Sequence, residues 1–270
     1  MASKTITLTY GDVCENHYGM EQIGTLRKHG LSPKFLSELY AKYSEHSRLY
    51  HLQHDEAMLL VIRNGVNLLL DNRYEQLYAE QNGLEPDTKA FMRGRVVNKQ
   101  ARYNLCFSEE GHEADFANRQ GTVVPFSRVP LTSQLREVLQ RLFEIENLQC
   151  EGNYYYDTSK PNVGIGFHGD TERRVVIGVR LGSDMPIEFR LFKRFATVGE
   201  PIRVTLHGGD IYAMSEKATG FDWKKSSILT LRHAAGSDAF LDRERKRIEQ
   251  KEAVKQKPKT EDESEIIVEE

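Results

Sequence analysis

The chain has 270 residues, a net charge of -3 and a hydrophobic content of 39%. This length suffices to bury a substantial core, and the balanced charge excludes a global basic surface, so any contact with nucleic acid must come from a local patch. Three widely spaced cysteines form neither a zinc motif nor a disulfide framework, and the N-terminus lacks an apolar signal core. We therefore expect a soluble intracellular monomer, in the cytoplasm or the nucleus, without membrane contact.

The first ninety residues predict a mixed, largely helical extension, which we assign to residues 1–90. Thr5 to Tyr10 alternates as a short strand, and Met20 to His29 predicts a helix that ends at Gly30. Ser32 and Pro33 are typical of a cap and first residue of another helix.

Two apolar runs between Met58 and Leu70 surround Asn64-Gly65. A hairpin is the first prediction, because Asn-Gly suits a type I′ turn. The alternative is a strand that leads into a helix through Asp71 to Gln81.

The segment from Phe91 to Phe107 is strand-like and interleaves aromatic and basic residues. Its members are Phe91, Arg93, Arg95, Lys99, Arg102, Tyr103 and Phe107. Basic groups can bind phosphates while aromatic rings stack on bases, although the pattern taken alone favours an exposed cationic strand face over a core.

The rest of the chain predicts one amphipathic helix, from Leu131 to Asn147, and then a run of short strands. From Val163 onward these strands are separated by glycine or proline turns, which is typical of a sandwich or barrel of jelly-roll type. From about Leu241 the pattern dissolves. Its first part is compatible with a solvated helix, and we assign 241–270 to a charged disordered tail. The final Glu265 to Glu270 resembles a SUMO-interacting segment, so a tail-mediated protein partner is one expectation.

The most informative motif is His168-Gly169-Asp170, at the end of a predicted strand. Alternate side chains of a strand face the same way, so His168 and Asp170 can reach one metal ion. An imidazole and a carboxylate are two of the three groups of the non-haem Fe(II) facial triad. Alone, the motif also fits a strand-end histidine beside a turn aspartate.

Several blocks in order give this motif its context, and they resemble the AlkB-like branch of the Fe(II)/2-oxoglutarate dioxygenases. The blocks are VVNKQARYNLCF, Asn153 and Tyr155 in NYYYD, His168 and Asp170, Glu172, LHGGDIYAMS from Leu206 to Ser215, and Thr230 with Arg232 in ILTLRH. The similarity covers roughly Phe91 to Gly236.

The resemblance implies an α+β protein with a double-stranded β-helix (jelly-roll) core in the C-terminal half, at residues 91–240, supported by N-terminal helices. It implies an oxidoreductase that uses Fe(II) and 2-oxoglutarate to hydroxylate, and so demethylate, a base in nucleic acid, as in DNA repair. His168 and Asp170 would bind iron, and Asn153 and Tyr155 would contact 2-oxoglutarate. The substrate, a single-stranded or flipped base, would be bound by Arg95, Lys99, Arg102, Tyr103, Glu172 and Arg174.

Two family residues are absent from their usual place. Lys225 stands where the second iron histidine is expected, and Ser226 where the first arginine for the distal carboxylate of 2-oxoglutarate is expected. We choose His233 as third metal ligand, ahead of His207 or water. For the carboxylate we choose Arg232. The alternatives are Arg174, Arg180, Lys217, Lys224 and Lys225. Because adjacent strand residues point to opposite faces, His233 and Arg232 require a bulge or a strand end to face the same side.

These absences also support an alternative from another class, a catalytically degenerate barrel that binds nucleic acid or protein. A third hypothesis is an adaptor whose function lies in residues 241–270.

Overall fold

The computed structural model describes residues 3–256 of the chain. The SUMO-interacting-like segment Glu265 to Glu270 lies outside the described residues. Within them the strands are β1 (Thr5–Gly11), β2 (Val13–Glu15), β3 (Gln22–Gly24), β4 (Ser47–His51), β5 (Met58–Ile62), β6 (Lys89–Met92), β7 (Arg95–Asn98), β8 (Tyr103–Ser108), β9 (Val123–Pro125), β10 (Gln149–Tyr155), β11 (Gly164–His168), β12 (Val176–Gly182), β13 (Met185–Lys193), β14 (Ala196–Leu206), β15 (Ile211–Met214) and β16 (Thr230–Gly236). The α-helices are α1 (Pro33–Lys42), α2 (Gly65–Leu69), α3 (Tyr74–Asn82), α4 (Pro130–Phe143) and α5 (Asp238–Gln256).

Two sheets carry most of the fold. An eight-stranded sheet has the order β4-β5-β15-β12-β1-β10-β8-β9, and a four-stranded sheet has the order β11-β16-β13-β14. Apolar side chains of both sheets, among them Val61, Val176 and Phe189, pack together between them. The fold is therefore mixed α and β, with a large sheet, a smaller sheet packed on it and few helices, which is compatible with a β-sandwich.

A second apolar layer covers the other face of the large sheet. Leu8 of β1 and Val179 of β12 pack there with Leu36 of α1 and Leu139 of α4. The predicted start of α1 is confirmed, because the Ser32 hydroxyl accepts a hydrogen bond from the backbone N–H of Phe35 at 3.1 Å. The predicted amphipathic helix is likewise present, as α4.

The predicted boundary at residue 90 does not coincide with a break in the sheet. β1 lies at the centre of the large sheet, paired antiparallel with β10 on one side and β12 on the other. β4 and β5 extend the same sheet through β15. The first ninety residues are thus part of the central sheet rather than an extension, because the strand pairing that places them there is long-range.

The pairing of the later strands is nested. β13 pairs with β14, β12 pairs with β15, and β11 pairs with β16, each antiparallel. β10 is the next strand outside these three nested pairs. It pairs with β1, which lies near the N-terminus of the chain.

Two local predictions are wrong for tertiary reasons. The segment Met20 to His29 is not a helix, because Gln22–Gly24 pairs with β2 and Asp12 accepts hydrogen bonds from the backbone N–H groups of Thr25 and Arg27. The hairpin at Asn64-Gly65 is also absent. Asn64 alone has the left-handed conformation, at φ 52°, and Gly65 begins α2, so the strand-to-helix alternative is correct.

The tail assignment needs a correction for its first part. Residues 241–256 belong to α5, the solvated helix that the sequence allowed, and are not disordered. Phe240 and Leu241 are buried against Phe167 of the four-stranded sheet, and this packing holds the helix in place. No helix among residues 3–256 combines the length and apolar character needed to cross a membrane.

Candidate metal centre

Three predicted ligands meet between the two sheets. His168 ends β11 and lies directly opposite His233 of β16 in the strand register. The loop after His168 is fixed by a hydrogen bond from the Asp170 N–H to the Thr219 carbonyl at 3.0 Å. Gly169 is required in this loop, because a Cβ there would collide with the Gly220 carbonyl.

The potential ligand atoms of His168, Asp170 and His233 all lie within 4.8 Å of one another. Asp170 Oδ1 is 3.4 Å from His168 Nε2 and 3.9 Å from His233 Nε2. His168 Nδ1 lies 2.8 Å from the Gly166 carbonyl, which favours a proton on Nδ1 and leaves Nε2 free to bind a metal. Two imidazoles and one carboxylate in this arrangement are able to hold a divalent transition metal.

The protonation states suit metal binding. Burial, together with the smaller effect of the neighbouring His168, lowers the pKa of His233 to about 3, so its imidazole is neutral. Burial by itself would raise the pKa of Asp170, but the hydrogen bond with His168 and the charge of Arg173 outweigh it and hold that pKa well below its usual range. Ligands of this type bind metals when imidazole is neutral and carboxylate ionised.

Arg173 stabilises the ionised carboxylate of Asp170. Its guanidinium is 4% exposed, lies 3.9 Å from Asp170 and donates to Glu151 Oε2 at 2.5 Å. This arginine therefore fixes Asp170 electrostatically while Glu151 satisfies its remaining charge.

The three residues line a cavity of about 530 Å³, which also contains Arg180 of β12. Arg180 is 1% exposed, and its Nη1 donates to the Thr7 hydroxyl at 2.7 Å. Its Nε has no hydrogen-bond partner, and no carboxylate within residues 3–256 lies within ion-pair distance of it. A buried guanidinium without a counter-charge is costly, and an anionic ligand in the cavity would offset that cost.

A row of polar residues crosses the large sheet inside this cavity. Arg180 is opposite Thr7 in the register, and Thr7 is opposite Asn153. The side chain of Asn153 accepts from Arg102 Nε at 2.5 Å and donates to Glu151 at 2.9 Å. The structure thus brings the predicted Asn153 to the cavity, with its amide already held by neighbours.

Two tyrosines complete the wall near Arg180. Tyr155, a predicted cofactor residue, lines the cavity together with Tyr212, and burial raises the pKa of Tyr212 to about 12. Gly178 makes room for Tyr212, since a Cβ there would collide with its ring. Both phenols are therefore neutral hydrogen-bond donors.

The choice of Arg232 for the carboxylate is wrong in its geometry. β16 continues without a bulge, so His233 faces the cavity and Arg232 faces the opposite side of the sheet. Its guanidinium stacks 4.0 Å from the centre of the Phe192 ring. Arg180 was one of the alternatives to Arg232. It lies in the cavity, is buried, and has no counter-charge among the described residues.

Of the predicted substrate residues, Arg102 and Glu172 line the cavity. Lys99 lies outside it, bound to the side chains of Asn16 and Asn104, and Tyr103 stacks on Tyr156 with ring centres 4.9 Å apart. Arg95 is exposed on the β6–β7 hairpin. Arg174 lies over the Phe221 ring, and its neighbour Arg173 reaches the cavity in its place.

Sequence reasoning missed the cavity residues contributed by the first ninety positions. Thr7, Thr9, Glu15, His17 and Tyr18 all line it. The signal that could have revealed the threonines is the alternation of β1, in which the polar residues face an interior cavity instead of solvent. Trp223 and Lys224 of the loop before β16 also line it.

Comparison with known proteins adds a relative without an assigned activity. No family model matches the chain. An uncharacterized protein of Acanthamoeba polyphaga mimivirus is 44% identical over 251 residues, which is 88% of this chain and 98% of the viral protein. The chain belongs to the same family as this viral protein. The similarity extends over nearly the whole viral protein, so it reaches beyond the metal-ligand motif.

Proposed function

We propose that this protein is an Fe(II)- and 2-oxoglutarate-dependent oxygenase of the AlkB-like type, which hydroxylates and thereby demethylates a base in nucleic acid. The observation that carries the proposal is the meeting of His168, Asp170 and His233 in a cavity that also contains the unpaired Arg180.

The donor set fits Fe(II). Two imidazoles and one carboxylate bind first-row metals and leave coordination positions open for a cosubstrate and oxygen. His168 is oriented for this role by the Gly166 carbonyl, which leaves its Nε2 toward the other two ligands.

The cavity also fits 2-oxoglutarate. Arg180 offers a charged donor for the distal carboxylate, and Thr7, Tyr155 and Tyr212 offer hydroxyl groups beside it. The burial of Arg180 strengthens this interaction, because the site has little water to compete for the charge.

When bound, iron with 2-oxoglutarate and dioxygen supplies an oxidant for C–H bonds, and a hydroxylated N-methyl group is lost as formaldehyde. The chain's own part is to hold and orient. His168, Asp170 and His233 hold the metal, Arg173 keeps Asp170 ionised, and Arg180 positions the cosubstrate. The buried walls around them limit the access of water.

The nested strand pairing supports a double-stranded β-helix of jelly-roll type. An eight-stranded jelly roll winds into two Greek keys, so its strands pair from the inside outward. β10 to β16 supply seven of these strands in chain order, and we propose that β1 is the eighth. The eighth strand would then come from the N-terminus, as in a circular permutation.

The opening of the cavity supports a base as substrate. Tyr18 is 74% exposed and Lys224 Nζ lies 5.6 Å from its ring centre, beside Trp223. Aromatic rings next to a cation suit a base with its phosphate. Glu172, further inside, can accept a hydrogen bond from an amino group of the base.

The proposal is tested by adding Fe(II) and then 2-oxoglutarate to the full-length protein without oxygen. We expect a visible metal-to-ligand charge-transfer band, and succinate release when oxygen and a single-stranded oligonucleotide with N-methylated bases are supplied. The His168→Ala variant should lose both. The His207→Ala variant is the control, because His207 is exposed and bound to Asp184.

A protein that forms neither the band nor succinate would contradict the oxygenase proposal and favour the non-catalytic binding module. That alternative rested on the two missing family residues, and His233 with Arg180 supplies equivalent groups inside the cavity. A band without succinate from any oligonucleotide would contradict the nucleic-acid substrate alone.

A further inference from the structure

A second cavity lies on the outer face of the four-stranded sheet, beneath α5. Its volume is about 390 Å³, within the range of small-molecule sites. Phe167 and Arg232 line it, and each directly precedes a predicted metal ligand in the chain. The cavity is therefore distinct from the metal centre but shares the strands β11 and β16 with it.

Arg232 lines this cavity, and its guanidinium is incompletely hydrogen-bonded. Its Nε and Nη2 are buried and have no hydrogen-bond partner among residues 3–256. These two nitrogens form one edge of the guanidinium plane, the edge that binds a carboxylate or phosphate through two parallel hydrogen bonds. Phe192 at 4.0 Å and Trp223 at 5.0 Å hold the plane between their rings. The donor pair is thus preorganised.

The charges around Arg232 favour an anion. Glu244 is paired with Arg247 at 3.2 Å, and Glu252 accepts from the backbone and hydroxyl of Thr197. Lys251 also lines the cavity and has no ion pair among the described side chains. Arg232, Arg247 and Lys251 face the carboxylates of Glu244 and Glu252, so the lining has a net charge of +1 (three minus two). Arg232 and Lys251 are the two cations without an ion pair among the described residues, and two cations suit a phosphate monoester better than a single carboxylate.

The other walls are aromatic. Phe167 lies on one side, and Phe195, which is 47% exposed, lies at the opening. A ring system attached to the phosphate can stack on such residues.

We infer that this cavity is a second binding site, for a nucleotide phosphate, in which Arg232 binds the phosphate and Phe167 and Phe195 contact the base. The ligand is either a free nucleotide or the phosphorylated end of a strand, since both present the same chemistry. The inference does not depend on the proposed oxygenase activity, because no metal takes part in binding.

Trp223 provides the readout, because it is the single tryptophan of the chain and contacts Arg232. The metal-free, full-length protein is titrated with AMP, adenosine, inorganic phosphate and a 5′-phosphorylated oligonucleotide while tryptophan emission is recorded. We expect saturable binding of AMP, at least tenfold tighter than that of adenosine or of phosphate. Whether AMP or the oligonucleotide binds more tightly identifies the source of the phosphate, and either order supports the site.

Arg232→Gln should weaken AMP binding about tenfold or more, and Arg232→Lys, which keeps the charge but lacks the planar fork, should weaken it as well. Arg174→Gln is the matched control. Arg174 also stacks on a phenylalanine and has unpartnered nitrogens, yet it lines neither cavity. Arg180→Gln controls for binding in the metal-site cavity. Both controls should keep the AMP affinity, and melting curves check the fold of every variant.

Three results would overturn the inference. One is the absence of saturable binding of any phosphate probe, and another is equal affinity for AMP and adenosine. The third is an AMP affinity that Arg180→Gln reduces and Arg232→Gln leaves intact, which would move the nucleotide to the metal-site cavity.

Discussion

His233 and Arg232 are neighbours in β16, but they serve opposite faces of the four-stranded sheet. His233 faces inward and meets His168 and Asp170, whereas Arg232 faces outward beneath α5 among aromatic rings. The strand period of two residues therefore separates a candidate metal ligand from a proposed anion-binding side chain within one peptide unit. The residue type alone is therefore not enough to assign a chemical role. The face of the sheet on which the side chain lies must also be known.

The two faces also differ in how their charges are neutralised. On the outer face Glu188 is fully buried but bound by Arg203 through two hydrogen bonds, at 3.0 and 2.9 Å. Inside the metal-site cavity, Arg180 has no counter-charge among the described residues. The pairing of Glu188 with Arg203 is structural, whereas an unpaired buried guanidinium, Arg180 on the inner face or Arg232 on the outer one, is a candidate for binding a ligand.

The largest effect should come from exchanging the two neighbours for alanine in turn. His233→Ala removes one of three metal ligands, so we expect Fe(II) or Co(II) affinity to fall by more than about 100-fold, beyond the loss typical of outer-shell partners. Arg232→Ala should leave metal affinity within about threefold, because its side chain is on the other face. Anaerobic metal titration measures both. Equal losses in the two variants would mean that the face assignment is wrong.

The next largest effect should be on stability, when the packing of α5 on the outer face of the four-stranded sheet is weakened. Leu241 of α5 is 0% exposed, and Leu241→Ala should lower the free energy of unfolding by about 2–5 kcal/mol through lost burial and an unfilled cavity. Denaturant unfolding measures it. Leu68→Ala, at a leucine that is 42% exposed, is the control and should change stability little. A value for Leu241→Ala near that of the control would show that α5 is dispensable for the fold.

Much of the inner face was predictable because its signals are local. The H-x-D spacing, the strand character of β11 and β16, and His233 as third ligand all depend on residues within short windows. The same alternation rule predicted that Arg232 and His233 diverge. The choice of Arg232 set that rule aside because a guanidinium binds a carboxylate through two hydrogen bonds.

The rest depended on pairing between distant segments. Nothing local in β1 indicates that it lies between β12 and β10, and hence that Thr7 contacts Arg180. Likewise, the sequence does not tell whether the polar residues of β1 face solvent or a cavity. Arg180 was among several candidate cations, and only the sheet register separates it from the others.

A smaller effect is expected on the KM for 2-oxoglutarate, which should depend on the inner face and not on the outer one. Arg180→Gln removes the charged donor from the cavity, so we expect the KM for 2-oxoglutarate to rise about 10- to 100-fold, in line with the loss of hydrogen bonds to a charged group. Arg232→Gln should leave that KM unchanged. Succinate formation at varied 2-oxoglutarate measures both. A rise in the Arg232 variant alone would restore Arg232 as the residue that binds the carboxylate, as chosen from the sequence.

The smallest effect concerns Glu15, a carboxylate that lines the inner cavity. Unlike Glu188, which is paired with Arg203, Glu15 forms no ion pair among the described residues. Burial, together with the charge of Glu172, raises the pKa of Glu15 from its ordinary 4.5 to about 7. The folded protein therefore binds one more proton than the unfolded chain between these values. Its free energy of unfolding should fall as the pH rises through this window, and then level off.

Glu15→Gln mimics the protonated form and removes this pH dependence. At pH 8 we expect the variant to be more stable than the native protein by about 1–3 kcal/mol, and the difference should shrink toward zero near pH 4.5. Thermal unfolding at both pH values measures this. The exposed Glu38→Gln is the control and should show no such trend. If Glu15→Gln were instead destabilising at pH 8, the ionised carboxylate must have a compensating partner, and the contrast in charge pairing between the two faces would not extend to this residue.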